Sequence, residues 1–220
     1  MAIAKEVELG QAVYSKTVLR LYDLWVLGLS NRFIWQCPTP RLLAHFNKHI
    51  SANHLDVGVG TGYFLNRCHF PSTAIRLGLM DLNRNSLEVT AARVARYRPL
   101  QFHCNVLDEI HVVTDKFDTI SLNYLFHCLP GKLTEKLSAM DHVCALLSDS
   151  GTVFGSTILS KGVHKNTMAK KLMAIYNKKG ILSNAEDCKE DLETYLASRF
   201  NKYFIGIQGC VALFSAKDRR

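Results

Sequence analysis

The sequence predicts an α/β fold: a seven-stranded sheet, mostly parallel, covered by helices on both faces and finished by an antiparallel hairpin. Three observations predict it. Short apolar runs alternate with amphipathic helical segments through the middle of the chain. The first of these runs ends in a glycine-rich turn, "DVGVGTG", that leads into a helix. Near the end, "RFNKYFIGI" and "CVALFSA" are separated only by Gln208-Gly209. Parallel neighbours need a crossover of about a dozen residues, so this last pair must be a hairpin.

The elements follow in order. Residues 1–37 form an aromatic leader with Tyr14, Tyr22, Trp25, Phe33 and Trp35, expected to act as a helical lid. "CPTPRLLAHFNKHI" then starts a helix, with Thr39 as N-cap, Pro40 in the first turn, and Leu42, Leu43, Phe46 and Ile50 on one face. "HLDVGV" is a short buried strand, and residues 63–69 begin a helix. Residues 74–80 are a second strand, 85–97 an amphipathic helix, 100–104 a third strand and 117–123 a fourth. Residues 132–147 read as one helix with Leu133, Leu137, Met140, Val143 and Leu147 on one side; 151–159 are a fifth strand. Residues 160–199 break the alternation with two helices and no strand, a helical insert before the hairpin. All of this is read as one domain, residues 1–220.

Composition sets the outer bounds. The chain has 220 residues, 48% hydrophobic and 21% charged, which suits one full core and argues against global disorder. The formal net charge is +8. Such a surface attracts anions, although plain solubility explains it as well. Six lysines lie between Lys161 and Lys179, followed by Glu186, Asp187, Glu190, Asp191 and Glu193, which partly neutralise them. Seven cysteines without a C-x-x-C pair fit reduced thiols in the cytoplasm and no structural metal. The most apolar early window, residues 17–35, carries Arg20, Asp23 and Arg32, so no transmembrane span is expected.

The glycine turn carries the chemistry. Its pattern is Gly58-x-Gly60-x-Gly62, with Tyr63 where a dinucleotide fingerprint has its third glycine. The P-loop lysine is missing too. Asp56 precedes the first glycine, where a carboxylate would repel a pyrophosphate. A ligand with cationic groups and no phosphate suits that turn better.

On these residues the chain resembles the class I S-adenosylmethionine-dependent methyltransferases, over roughly residues 38–216, including the terminal hairpin. The resemblance implies a Rossmann-like three-layer fold, S-adenosylmethionine as cofactor and S-adenosylhomocysteine as product. It places Asp81, at the end of the second strand, on the ribose hydroxyls, with Leu82 against the adenine. Asn105 stands where the family often has an aspartate that accepts from adenine, with Asp108 as a substitute and the Val106 backbone N–H nearby. Asn123 and Tyr124 would lie along the methionine part. The run Asn123-Tyr124-Leu125-Phe126 lacks the prolines of the nucleic-acid amino methyltransferases, so nucleic acid is not the expected partner. Tyr14, Tyr22 and Trp25 can close over a sulfonium as ring faces, or simply pack.

Methyl transfer is a displacement that needs alignment, and a base only where the acceptor must lose a proton. His127, past the fourth strand, is the first base candidate, with helix packing as its other reading; His164 is a second. The insert's stripe of Met168, Leu172, Met173, Ile175 and Tyr176 reads as core and as a roof over the acceptor. The expected function is methyl transfer to a small, apolar metabolite. RNA or protein methylation, and cofactor binding without catalysis, remain the alternatives. The acceptor atom and the oligomeric state are not legible.

Overall fold

The structure, a computed structural model, describes residues 23–220, with side chains from Leu27 onward. Tyr14 and Tyr22 lie outside the described residues, as do the side chains of Asp23 and Trp25.

A π-type helix, Asp23–Ile34 (α1), is followed by α2, Thr39–His49. Then come β1 (Asn53–Val57), α3 (Tyr63–Arg67), β2 (Arg76–Asp81), α4 (Arg84–Arg93) and β3 (Leu100–His103). β4 (Phe117–Asn123) leads into α5 (Leu133–Lys136), α6 (Ser138–Cys144) and β5 (Leu147–Ile158). The insert holds α7 (Thr167–Lys178) and α8 (Lys189–Arg199), and the hairpin is β6 (Phe200–Gln208) and β7 (Val211–Arg219). The seven strands form one sheet in the order β3-β2-β1-β4-β5-β7-β6. All pairs are parallel except β5–β7 and β6–β7.

From β1 the chain winds outward to β2 and β3, then returns to lay β4 and β5 on the other side. The β1–β4 seam is therefore the switch point of the sheet, where open α/β folds leave a crevice outside the strand carboxyl ends. Period-two alternation sorts the strand residues. On one face Leu55, Val57, Ile120, Leu122 and Val153 pack with Leu133, Met140, Val143, Leu192 and Leu196. On the other, Phe46, Leu65, Leu77, Leu79, Leu87 and Phe154 form a second cluster. A third joins the leader to the insert, with Trp35, Cys37 and Leu42 against Ile158, Ala169, Met173 and Leu182.

Several local expectations are corrected. Thr39 does not cap α2; Pro38 holds the cap position without a side-chain bond. The Thr39 hydroxyl instead donates to the Leu27 carbonyl and accepts from Asn31 Nδ2 at 3.0 Å, tying α1 to α2. The expected single helix over 132–147 is two helices broken at Leu137. There the Ser138 hydroxyl donates to the Glu135 carbonyl at 2.7 Å, competing with the helix ladder. β5 begins at Leu147, four residues early, because Leu147 pairs with Phe117 before the register shifts at a bulge. α4 starts at Arg84 and stops at Arg93, since Asn83 caps it and residues 95–97 tighten into a separate turn ahead of Pro99. In the insert, Ala169 and Met173 are buried, whereas Met168 and Ile175 of the expected stripe face solvent.

Among the described residues no helix is long and apolar enough to cross a membrane, and no group of three or more His, Cys, Asp or Glu is placed to hold a metal.

Candidate active site

At the β1–β4 switch point an open cavity of ≈ 160 Å³ is lined by β1, the glycine turn, the end of β2, the start of α4, and the loop after β4. Its polar half comprises Asp56, Gly58, Gly60, Thr61, Asp81, Asn83, Ser86 and Asn123. Its apolar half includes Leu27, Phe64, Leu82, Leu125, Leu129 and Pro130.

Asp56 is the penultimate residue of β1 and is buried. The β1–β4 register sets Asp56 opposite Ser121 and His54 opposite Thr119. The Ser121 hydroxyl donates to Asp56 Oδ1. Burial pushes the Asp56 carboxyl up to about 7; the Ser121 bond opposes this, and the nearby Asp81 charge adds to it. A cation entering the cavity would reverse the shift, so the group suits a cationic ligand.

The turn after β1 uses three left-handed glycines: Gly58 at φ 73°, Gly60 at 52° and Gly62 at 70°. The two later ones do different work. A Cβ on Gly62 would lie 2.7 Å from Thr90 Cγ2, so its bareness lets α4 pack against the turn. A Cβ on Gly60 would meet nothing within 4 Å. It would project into open space on the cavity wall, where a ligand needs close approach to the backbone.

Asp81 ends β2, which the parallel register with β1 places beside the turn. Its carboxylate accepts the Asn83 N–H at 2.8 Å. Burial raises it to about 6, against the pull of the backbone N–H groups of Asn83, Gly60 and Val59. Asp81 thus clamps the glycine turn and offers a two-oxygen acceptor at the cavity edge. His103 Nε2 donates to the Leu82 carbonyl at 2.7 Å and holds the following loop.

Asn123 ends β4. Its Oδ1 accepts from Ser156 Oγ at 3.1 Å, while its buried Nδ2 has no hydrogen-bond partner. A buried donor without a partner on a cavity wall is available to a ligand that accepts from it. Tyr124 follows in the left-handed region, at φ 56°, which turns its ring along the cavity. Its hydroxyl donates to Asn31 Oδ1 at 2.8 Å and so joins the site to α1.

The remaining expected residues are not on this wall. Gly62 sits just behind it as the N-cap of α3. Asn105 Nδ2 donates to Asp108 Oδ2 at 2.9 Å, and its Oδ1 accepts the Leu107 N–H at 3.2 Å. Its side chain is thus engaged in its own loop. Val106 is buried, its carbonyl 2.9 Å from His142 Nδ1. His127 is buried off the cavity: Nδ1 accepts the Ile158 N–H at 3.1 Å and lies 3.3 Å from Thr157 Oγ1. Burial, with Lys136 nearby, lowers its pKa to about 3. That arrangement holds the loop after β4 to the end of β5 and gives the ring no free acceptor nitrogen facing the cavity. His164 is exposed, 3.2 Å from Gln36 Oε1.

Sequence reasoning passed over Ser121, Thr119 and His54. A signal was present: polar residues two apart, His54 and Asp56 in β1 and Thr119 and Ser121 in β4, alternate with apolar ones in strands that must be buried.

The residues present fit S-adenosylmethionine. The open glycine turn accommodates close approach, Asp81 provides paired acceptors for a diol, Asp56 a counter-charge for a cation, and Asn123 Nδ2 a spare donor. Comparison with known proteins agrees. A family described as a methyltransferase domain matches residues 55–153. Demethylluteothin O-methyltransferase of Streptomyces thioluteus is 37% identical over 207 residues, covering 94% of this chain and 90% of that protein. The physcion biosynthesis cluster O-methyltransferase of Aspergillus chevalieri is 38% identical over 211 residues, covering 95% of each. Among solved structures, the DhpI–SAH complex superposes with a TM-score of 0.69 at 12% identity, over 98% of this chain and 96% of that one. The N-methyltransferase NodS of Bradyrhizobium japonicum WM9, in complex with S-adenosylhomocysteine, gives 0.60 at 14% identity, over 100% and 96%. At such identities these two likenesses speak for the fold.

Proposed function

Because the chain belongs to the class I S-adenosylmethionine-dependent methyltransferases, we propose that it methylates a hydroxyl oxygen of a small, apolar metabolite. One observation carries the reading: a single cavity joins the acidic, glycine-lined half to an apolar half walled by Leu27, Phe64, Leu125, Leu129 and Pro130. The names of the two relatives support oxygen as the methylated atom.

The bound cofactor supplies an activated methyl on a sulfonium. The protein's own residues bind, orient and exclude water. Asp81 takes the ribose hydroxyls and, through the backbone of the glycine turn, couples ribose binding to the shape of the cradle. Leu82 packs on the base. Asp56 faces the amino-acid end, with Asn123 Nδ2 donating to the same region. Asn105 and Val106 stay candidates for the adenine edge through a change in their loop. The leader, from which Leu27 reaches the wall, and the insert at residues 160–199 together form the acceptor's cover, since they share one apolar cluster with Phe64, Tyr124 and Cys128. His127 serves as a positioning group for the loop carrying Leu129 and Pro130 rather than as the base. The transfer then rests on alignment, and the acceptor that suits it is an acidic hydroxyl such as a phenol or enol. Seven cysteines with no disulfide between them support a cytoplasmic setting.

The test is incubation with S-adenosylmethionine and a panel of phenolic and enolic aromatics, with products analysed by mass and position. Methyl ethers that disappear in Asp81→Ala are expected. Methyl groups found on nitrogen or carbon, or incorporated into RNA or protein alone, would overturn it.

A further inference from the structure

His54 is fully buried in β1, with its ring stacked on Phe154 at 5.8 Å and edge-on to Phe46 at 5.6 Å. An apolar side chain would satisfy those two rings. What histidine adds is two nitrogens, and both are engaged: Nδ1 lies 2.8 Å from Thr119 Oγ1 and Nε2 lies 3.1 Å from Ser121 Oγ. Thr119 Oγ1 in turn accepts the Ser51 backbone N–H at 3.1 Å and lies 2.8 Å from Ser51 Oγ. At the other end the Ser121 hydroxyl donates to Asp56.

With Asp56 ionised, the direction of the chain follows from its acceptor end. Ser121 gives its proton to Asp56, so its oxygen receives the proton on His54 Nε2. His54 Nδ1 is then an acceptor and takes the Thr119 hydroxyl proton, and Thr119 takes the Ser51 N–H. Every bond points toward Asp56, and such aligned bonds polarise one another. Burial lowers the imidazole to about 3, against the pull of a Thr119 backbone hydrogen bond, and keeps the ring neutral at working pH. With Oδ1 engaged by Ser121, the other oxygen of Asp56 is left for a ligand in the cavity.

We propose that His54 is a positioning residue for cofactor binding, which through Ser121 favours the ionised form of Asp56 and aims its second oxygen at the cationic end of the ligand. This rests on the role given to Asp56 above. The titratable groups around the chain are Asp81 from β2, Cys68 after α3 and, around the Phe154 ring, His45 and His49 of α2. None of these is in the hydrogen-bond chain.

The experiment is calorimetric titration with S-adenosylhomocysteine at several pH values on wild type, His54→Phe, His54→Gln and Thr119→Val. Wild-type affinity rises with pH through a midpoint set by Asp56. In His54→Phe the midpoint moves up by about one unit, which weakens binding about tenfold below it and leaves it near wild type well above it. His54→Gln, whose amide N–H reaches Ser121, restores the midpoint. Thr119→Val interrupts the chain one step earlier, shifts the midpoint the same way, and stands in if His54→Phe does not fold. An unmoved midpoint, or an equal loss at every pH, overturns the proposal. Failure of the wild type to bind at all would instead sink the assignment of the site.

Discussion

Ser121 donates its hydroxyl to Asp56 from the directly opposed position of the neighbouring parallel strand. The pair sits at the one seam where the sheet reverses its winding. A carboxylate buried there strains the fold and serves the ligand.

That strain has a sign. The Asp56 carboxyl rises from its ordinary 3.8 to about 7, so the folded protein holds a proton that the unfolded chain releases. Stability associated with this group is complete below 3.8 and is lost as pH rises toward about 7. Asp56→Asn should therefore raise the melting temperature at pH above 7 and leave it unchanged in acid, while abolishing cofactor binding. Parallel thermal melts and titrations with S-adenosylhomocysteine check both halves.

Gly60 and Gly62 should respond differently to alanine. Both have positive φ, a strain of roughly 1 kcal/mol for a side chain. Gly62→Ala adds a 2.7 Å clash with Thr90 and should lower stability by about 2–3 kcal/mol. Gly60→Ala adds no clash, so it should lose only the roughly 1 kcal/mol of backbone strain in denaturant unfolding yet bind cofactor at least about tenfold more weakly, through a methyl placed where the ligand lies.

Tyr124→Phe removes only the hydroxyl that donates to Asn31 on α1. One neutral hydrogen bond is worth about 1 kcal/mol, so acceptor KM should rise about fivefold as the cover loosens. Cofactor affinity should not change, and a steady-state comparison with varied acceptor and varied cofactor separates the two.

Lys136 and Asp187 form a buried ion pair at 2.9 Å, both side chains essentially inaccessible. Lys136 also donates to the Ser183 carbonyl, so the pair locks the insert onto α5. Burial opposes the charge on each: it lowers Lys136 and raises Asp187 to about 6. Lys136→Met should cost about 3–5 kcal/mol by stranding the carboxylate, and adding Asp187→Leu should recover much of it. Urea unfolding of the single and double variants measures the recovery.

Much of this architecture was legible from local pattern. Strand β4 matches the expected 117–123, and the hairpin follows from a linker too short for any other connection. The glycine turn and Asp81 were legible because each is a local device at a strand end, where the chain must bend and ligands approach. Helix limits were less so: the break at Leu137 lies beside a serine hydroxyl bonded to the Glu135 carbonyl, and the early start of β5 comes with a pairing to Phe117.

What tertiary structure alone decided is which polar side chains meet. His127 and Asn105 stand at suitable sequence positions, yet one turns to the end of β5 and the other to its own loop. His54, Thr119, Ser121 and Asp56 lie up to 67 residues apart and meet only because β1 and β4 pair in one register. A one-residue slip would turn the four onto opposite faces. Sequence spacing sets the period of a strand, but its partner and register are set by burial of the whole sheet.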